Sequence, residues 1–242
     1  MVIVSRFPNL AALVDATADR LTDTLAAIHA DPAGGVNGDG MARLVLTGGG
    51  AGIALLRELS ARQVDWSRVH VYFGDERNVP VTHPDSNEGQ AREALLDSVP
   101  IPPEHLHGYG LTGGDMTEAV RGYEAVLGTT APRGFDLHLL GMGDEGHVNS
   151  LFPHAAATAE TERLVVAVTD SPKPPAERAT LTFPAVHRAE RVWLLVSGAE
   201  KAEAAGHVAA ESDPREWPAA GARGSRETRL FVTEDAAGRI GQ

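Results

Sequence analysis

The chain has no cysteine in its 242 residues. Disulfides, thiolate metal sites and a cysteine nucleophile are therefore excluded, and the composition suits a reducing, cytoplasmic setting. No apolar run approaches the roughly 18 residues that a membrane span needs. The opening MVIVSRFPNL carries one basic side chain and no long apolar stretch, which makes it a poor secretory signal. Positive charge is scarce as well: 21 Lys and Arg against 33 Asp and Glu leave a net charge of −12. Nucleic acid as the main partner requires a positive footprint that this balance does not supply. A small anion remains admissible, provided a few cations gather locally against the global field. Two catalytic signatures are also missing. No G-x-S-x-G elbow is present, and no glycine turn is followed by Gly-Lys-Ser/Thr.

What is present reads as one α/β domain over residues 1–242, with 43% hydrophobic content to fill a core. A short strand is expected at Val2 to Ser5. Asn9 then caps a long helix in which Leu10, Leu13, Val14, Ala18, Leu21, Leu25 and Ile28 recur at helical spacing. Strands are expected at 43–47, 69–73, 135–140, 164–169, 179–183 and 192–196, with a last edge strand at 230–232. Helices are expected at 52–63, 88–98 and from Glu200. Asp115 with Glu118 reads as a capping box opening a helix to about Leu127. Strands alternating with helices imply a Rossmann-like three-layer α/β/α sandwich with a mostly parallel sheet.

Candidate chemistry lies where these strands end. In LVLTGGGAGIALL, residues 44–56, a strand runs through Gly48 and Gly49 into a helix, which places bare backbone N–H groups at a positive dipole end suited to phosphate. The spacing is not a G-x-G-x-x-G dinucleotide fingerprint, and a tight βα turn explains it equally well. After the next strand come Asp75, Glu76 and Arg77. Asp75 is placed to orient a hydroxyl or water, Arg77 to hold a phosphate, and a strand-end salt bridge is the plainer alternative. In FDLHLLGMGDEGHVNSLFP, residues 135–153, a buried strand breaks into glycines and delivers Asp144, Glu145 and His147. A histidine there moves protons near neutral pH when a carboxylate fixes its tautomer. That carboxylate is Glu145 or Asp144. Lys173, Arg178 and Lys201 stand near strand ends and turns as further cations. His83, His105 and His107 lack a convincing set of partner ligands for a metal.

The segments LTGGGAG (46–52), GDERNVP with DSN (74–80 and 85–87), LLGMGDEGHVNSLFP (139–153), ERATLTFPAV (177–186) and SGAEKA (197–202) occur in one order. With them the chain resembles the lactonase branch of the glucosamine-6-phosphate isomerase/6-phosphogluconolactonase superfamily. The resemblance implies hydrolysis of 6-phosphoglucono-δ-lactone to 6-phosphogluconate, with no metal and no organic cofactor. A sugar-phosphate lactone is then the expected partner; from composition neither nucleic acid nor membrane is expected, and the chain is expected to be a monomer or small homo-oligomer. His147 is then the base, with Glu145 and Asp75 catalytic beside it, while Gly48, Gly49, Arg77, Arg178 and Lys201 bind substrate. The deaminase branch usually carries an aromatic residue where Arg77 stands and an Asn-Glu-Pro shortly after the histidine, where this chain has Ser150-Leu151-Phe152-Pro153. A deaminase-like enzyme and a non-catalytic sugar-phosphate-binding module remain the alternatives. One departure from the lactonase pattern is Glu145, where the family usually has aspartate before Gly-His.

Overall fold

The computed structural model describes residues 1–241; Gln242, the last residue of the expected domain, lies outside them. The order of elements is β1 (Ile3–Phe7), α1 (Leu10–His29), β2 (Ala42–Leu46), α2 (Gly49–Leu59), β3 (Val69–Phe73), β4 (Asp75–Arg77), α3 (Asn87–Ala94), β5 (Leu106–His107), α4 (Thr117–Thr130), β6 (Phe135–Gly141), β7 (Val165–Val168), β8 (Arg178–Leu181), α5 (Phe183–Val186), β9 (Ala189–Val196), α6 (Ala202–Ala209), α7 (Pro218–Gly221) and β10 (Glu227–Thr233).

Seven strands form one parallel sheet in the order β1-β10-β9-β6-β2-β3-β5. Its middle strands read as continuous apolar runs because both faces are covered. All five residues of β2 are buried, and so are Val192 to Val196 of β9. Right-handed crossovers place α1, α2 and α3 on one face and α4, α5 and α6 on the other. The packing of α1 on α2 and of α2 on α3 agrees with this division. Helix α1 shows how locally the sequence dictates its part. The Asn9 side chain accepts a hydrogen bond from the Ala12 N–H at 3.0 Å, a cap contributing about 1 kcal/mol. Leu13, Val14, Ala18, Leu21, Leu25 and Ile28 then face the core.

Strand β2 is the switch point of the sheet. The chain runs outward from it through β3 to β5, and later returns from β6 through β9 to β10. A crevice opens at the carboxyl ends of β2 and β6, where open α/β sheets bind ligands. The Thr47 hydroxyl ties the two ends together by accepting the Gly141 N–H at 2.8 Å.

Several expectations need correction. The Leu230 region is no edge strand: β10 lies between β1 and β9. The segments expected at 164–169 and 179–183 do not join the parallel sheet. They become β7 and β8, which pair antiparallel with each other and with β4 in a second, three-stranded sheet. Gly74 is the junction, donating to Leu46 O of the large sheet and accepting from Leu181 N of the small one. Helix α2 begins at Gly49 rather than Gly52. The Asp115 box does not form: Asp115 accepts from Thr117 N and Oγ1, while Glu118 pairs with Arg121.

Candidate active site

The crevice is built by three chain turns. The first follows β2, where Gly49 takes a left-handed φ of 79° as the chain enters α2. Glycine adopts that conformation without steric cost, so the helix can start at once after the strand. Nothing lies within 4 Å of where a Cβ on Gly49 or Gly50 would sit, and their backbone faces open space. Gly48 to Gly52 line the cleft, so the first turn of α2, with its N–H groups unpaired within the helix, brings the positive end of the helix dipole to it.

The second turn carries Asp75 and Arg77. Asp75 is 9% exposed, and its carboxylate accepts from the Ser150 hydroxyl at 2.7 Å and the Asn87 amide at 3.0 Å. Arg77 donates to the Asn87 side-chain oxygen. Between them Glu76 turns inward. It accepts the N–H groups of Arg77, Asn87 and Glu88 and the hydroxyl of Ser86, and so pins the start of α3 under the site. Burial pushes the Glu76 carboxyl up, and the hydrogen bonds it accepts oppose that shift. Glu76 and Asn87 are organisers that residue type alone did not reveal. The only signal was their place in the GDERNVP and DSN segments.

The third turn follows β6 and holds His147. Its Nδ1 lies 3.1 Å from Glu145 Oε1, off the line of a well-aligned hydrogen bond, so the contact is chiefly electrostatic. The other oxygen, Oε2, accepts from Lys173 Nζ at 2.9 Å. Burial raises the Glu145 carboxyl, but His147 and Lys173 outweigh it and hold it well below the usual carboxylate range. Asp144 pairs with Lys173 at 2.6 Å, and the ion pair of the ring is with Glu145. Of the two acids the sequence left open, Glu145 is therefore the one beside the imidazole. The ring is steadied by Phe152, whose centroid is 4.5 Å away. Both groups pass directly over Gly143, where an added Cβ would meet His147 Nδ1 at 2.1 Å and Glu145 Oε2 at 2.5 Å.

All eight residues singled out from the sequence fall in this region. Gly48, Gly49, Asp75, Arg77, His147, Arg178 and Lys201 line one cleft, and Glu145 stands behind His147. They differ in how free they are. The Lys201 side chain has no hydrogen bond or ion pair among the described residues, although its backbone N–H donates to Gly198 O. Arg178 is 5% exposed and donates to the carbonyls of Lys173, Pro174 and Pro175, with its remaining nitrogen 3.9 Å from Asp75. His83 stays apart on the 78–86 loop, whereas His105 and His107 meet His70 at the edge of the sheet. Among the described residues, no group of three or more His, Asp or Glu is arranged to hold a metal ion.

The family model for glucosamine-6-phosphate isomerases/6-phosphogluconolactonase matches residues 8–231. The chain belongs to this family. A 6-phosphogluconolactonase of Mycobacterium tuberculosis is 48% identical over 97% of this chain and 96% of its own length. The crystal structure of a Thermotoga maritima 6-phosphogluconolactonase superposes with a TM-score of 0.85 at 26% identity, covering 97% of this chain and all of that one. A monomeric glucosamine-6-phosphate deaminase superposes with a TM-score of 0.81 over 98% of this chain and all of that one. At 21% identity, that likeness speaks to the fold alone. Both branches of the family thus share the scaffold, and the residues at the cleft must separate them.

Proposed function

We infer that this chain hydrolyses 6-phosphoglucono-δ-lactone to 6-phosphogluconate, the second step of the oxidative pentose phosphate pathway. The near full-length relationship to 6-phosphogluconolactonases supports the reaction. The observation that carries the site assignment is the cleft itself. A helix N-terminus, Arg77 and the unpaired Lys201 side chain line it together with His147, which stands against Glu145.

In the reading we propose, the substrate phosphate sits on the N–H groups at Gly48 and Gly49 and is held by Arg77 and Lys201. Arg178 completes that side, chiefly by fixing the 170–176 segment and facing Asp75. With its Nδ1 toward Glu145, His147 presents Nε2 to the lactone. Nε2 takes a proton from water as the water oxygen bonds to the carbonyl carbon. Glu145 stabilises the imidazolium that results. The tetrahedral intermediate then collapses, the bond from the carbonyl carbon to the ring oxygen breaks, and His147 returns its proton to that oxygen. The product leaves as an open-chain acid. Asp75, fixed by Ser150 and Asn87, binds sugar hydroxyls beside the base.

We further propose that residues 1–242 act as one domain, since the last strand, β10, closes on the first, β1, and the crevice draws on elements in between. No helix of the structure is long and apolar enough to cross a membrane. A cytoplasmic enzyme acting as a monomer or small homo-oligomer, with a metabolite as its partner, accords with that finding and with the acidic net charge.

A coupled assay tests the reading. Glucose-6-phosphate dehydrogenase generates the lactone, 6-phosphogluconate dehydrogenase reports the product, and spontaneous hydrolysis is subtracted. Wild type is expected to accelerate product formation and His147→Ala to lose that acceleration. Equal acceleration by both would remove His147 as the base. Turnover of glucosamine 6-phosphate without turnover of lactone would favour the deaminase reading.

A further inference from the structure

The chain contains only two lysines, Lys173 and Lys201, and both stand at this one site. Lys201 faces the cleft, but Lys173 does not line it. Its ammonium lies behind the catalytic loop, 2.6 Å from Asp144 Oδ1 and 2.9 Å from Glu145 Oε2. It sits in the segment 170–176, a strap joined to the loop by these two ion pairs. The strap is locked by its own bonds. Ser171 N donates to Ala176 O, the Ser171 hydroxyl donates to Lys173 O, and the buried Arg178 guanidinium donates to three successive carbonyls from Lys173 to Pro175. A lysine on a flexible stem ordinarily gains little from a half-exposed ion pair. Here its backbone is fixed in advance, so less freedom is lost in forming the contact.

We propose that Lys173 is a positioning residue that sets the basicity of His147 by holding the second oxygen of Glu145. The geometry divides the carboxylate: Oε1 faces His147 Nδ1 at 3.1 Å and Oε2 faces the ammonium. Two consequences follow. The carboxylate cannot rotate away from the ring without leaving the lysine. In addition, its negative charge is partly neutralised, so it stabilises the imidazolium less than an isolated carboxylate would. A base that holds its proton too tightly would not release it to the leaving ring oxygen, and a catalytic histidine works best with its pKa near the working pH. Burial pulls the Lys173 ammonium down, but the two acids outweigh it and keep it above the usual lysine value, so it stays charged throughout the working range.

Other charges face His147 too. Asp144 shares the lysine, Asp75 and Arg77 come from β4, Arg178 from β8, and Lys201 from the turn before α6. On the far side of the loop Trp217 stacks on His207 and packs against Gly146. Of these groups, only Lys173 and Asp144 share the contact network of Glu145. Removing the lysine therefore acts on His147 through that carboxylate.

The inference rests on His147 as the base, and the test separates the two claims. Lys173→Met and Lys173→Arg are compared with wild type in two measurements. One is the acid limb of kcat/KM against pH. The other is the NMR titration of the His147 ring, which does not depend on turnover. Lys173→Met is expected to raise both midpoints by about half a pH unit or more, as removal of a cation a few ångströms from the pair should. Lys173→Arg is expected to restore them toward wild type. If neither midpoint moves, the lysine merely ties down the strap and the inference is overturned. A rise in KM with an unmoved ring titration overturns it too, since the lysine would then be touching substrate. If the ring midpoint rises while the kinetic limb stays, Lys173 tunes His147 as inferred but His147 is not the base.

Discussion

His147 and the His70–His107 pair occupy opposite kinds of surroundings in one protein. His147 stands at the carboxyl end of β6 with Glu145 at its Nδ1 and an open cleft on its other side. His70 and His107 stack at the outer edge of the sheet, with 2.9 Å between His70 Nδ1 and His107 Nε2 and with the His105 ring tilted against His70. Burial pulls both of these histidines down to about 4, and the nearby His105 and Arg43 add to the effect. Neither carries a proton near neutral pH. His138 is a more extreme case, fully buried in β6 and pulled by that burial to about 3, with the Asn149 side chain opposing the shift. The residue type supplies a titratable ring in every case. A carboxylate neighbour and access to solvent suit a ring to carrying protons, whereas cations and burial hold it neutral.

The largest expected effect falls on the first neighbourhood. His147→Ala should lower kcat by about 10² to 10⁴-fold, the usual loss for a general base. Its melting temperature should stay near that of wild type, because the ring borders a cleft rather than filling the core. A large drop in stability would make His147 a structural histidine and erase the contrast.

Gly143→Ala comes next. The added Cβ would land 2.1 Å from His147 Nδ1, so the ring must move. A displacement of about an ångström at a reacting group costs on the order of 10²-fold, and kcat should fall by that much with KM little changed. Unchanged kcat would mean that the ring position seen here is not the working one.

With Arg77 on the phosphate as proposed, Arg77→Ala would remove a charge-assisted hydrogen bond, on the order of 1.5–3 kcal/mol, and should raise KM about tenfold or more with a smaller change in kcat. An unmoved KM would take Arg77 out of the phosphate site.

The smallest effect belongs to the second neighbourhood. The folded pKa values of His70 and His107 lie below the unfolded value of 6.5, so the unfolded chain binds more protons at acid pH. Their contribution is complete above about 6.5 and is lost as pH falls from there toward about 4. Urea midpoints measured across that window should decline, and His107→Gln should flatten the decline while leaving lactone turnover at pH 7.5 unchanged. A slope identical to that of wild type would place the acid sensitivity elsewhere.

Much of the scaffold was legible because its signals are local. Asn9 and the apolar stripe of α1, the buried runs of β2, β3 and β6, and the glycines that end two of those strands all act within a few residues of themselves. The small sheet was legible only in part. Strands were expected where β7 and β8 stand, but β4 and the antiparallel pairing were hidden, because β4 meets β8 about a hundred positions away. The place of β10 was hidden for the same reason: its second neighbour, β1, lies at the other end of the chain. At the site, the sequence named His147 and its two candidate acids but could not choose between them. Adjacent positions on a turn point in different directions, and here Glu145 turned to the ring and Asp144 to Lys173.

The class of the fold, the strand ends and the residue types available there follow from the order of amino acids alone, because periodicity, capping and glycine turns are properties of short segments. The tertiary structure decided which of those residues meet. It turned Arg178 into the lock of a strap, left Lys201 without a partner, gave Lys173 to the carboxylate behind the histidine, and set His70 beside His107. Charge and burial depend on distances between segments remote in sequence, and only the packed sheet fixes those distances.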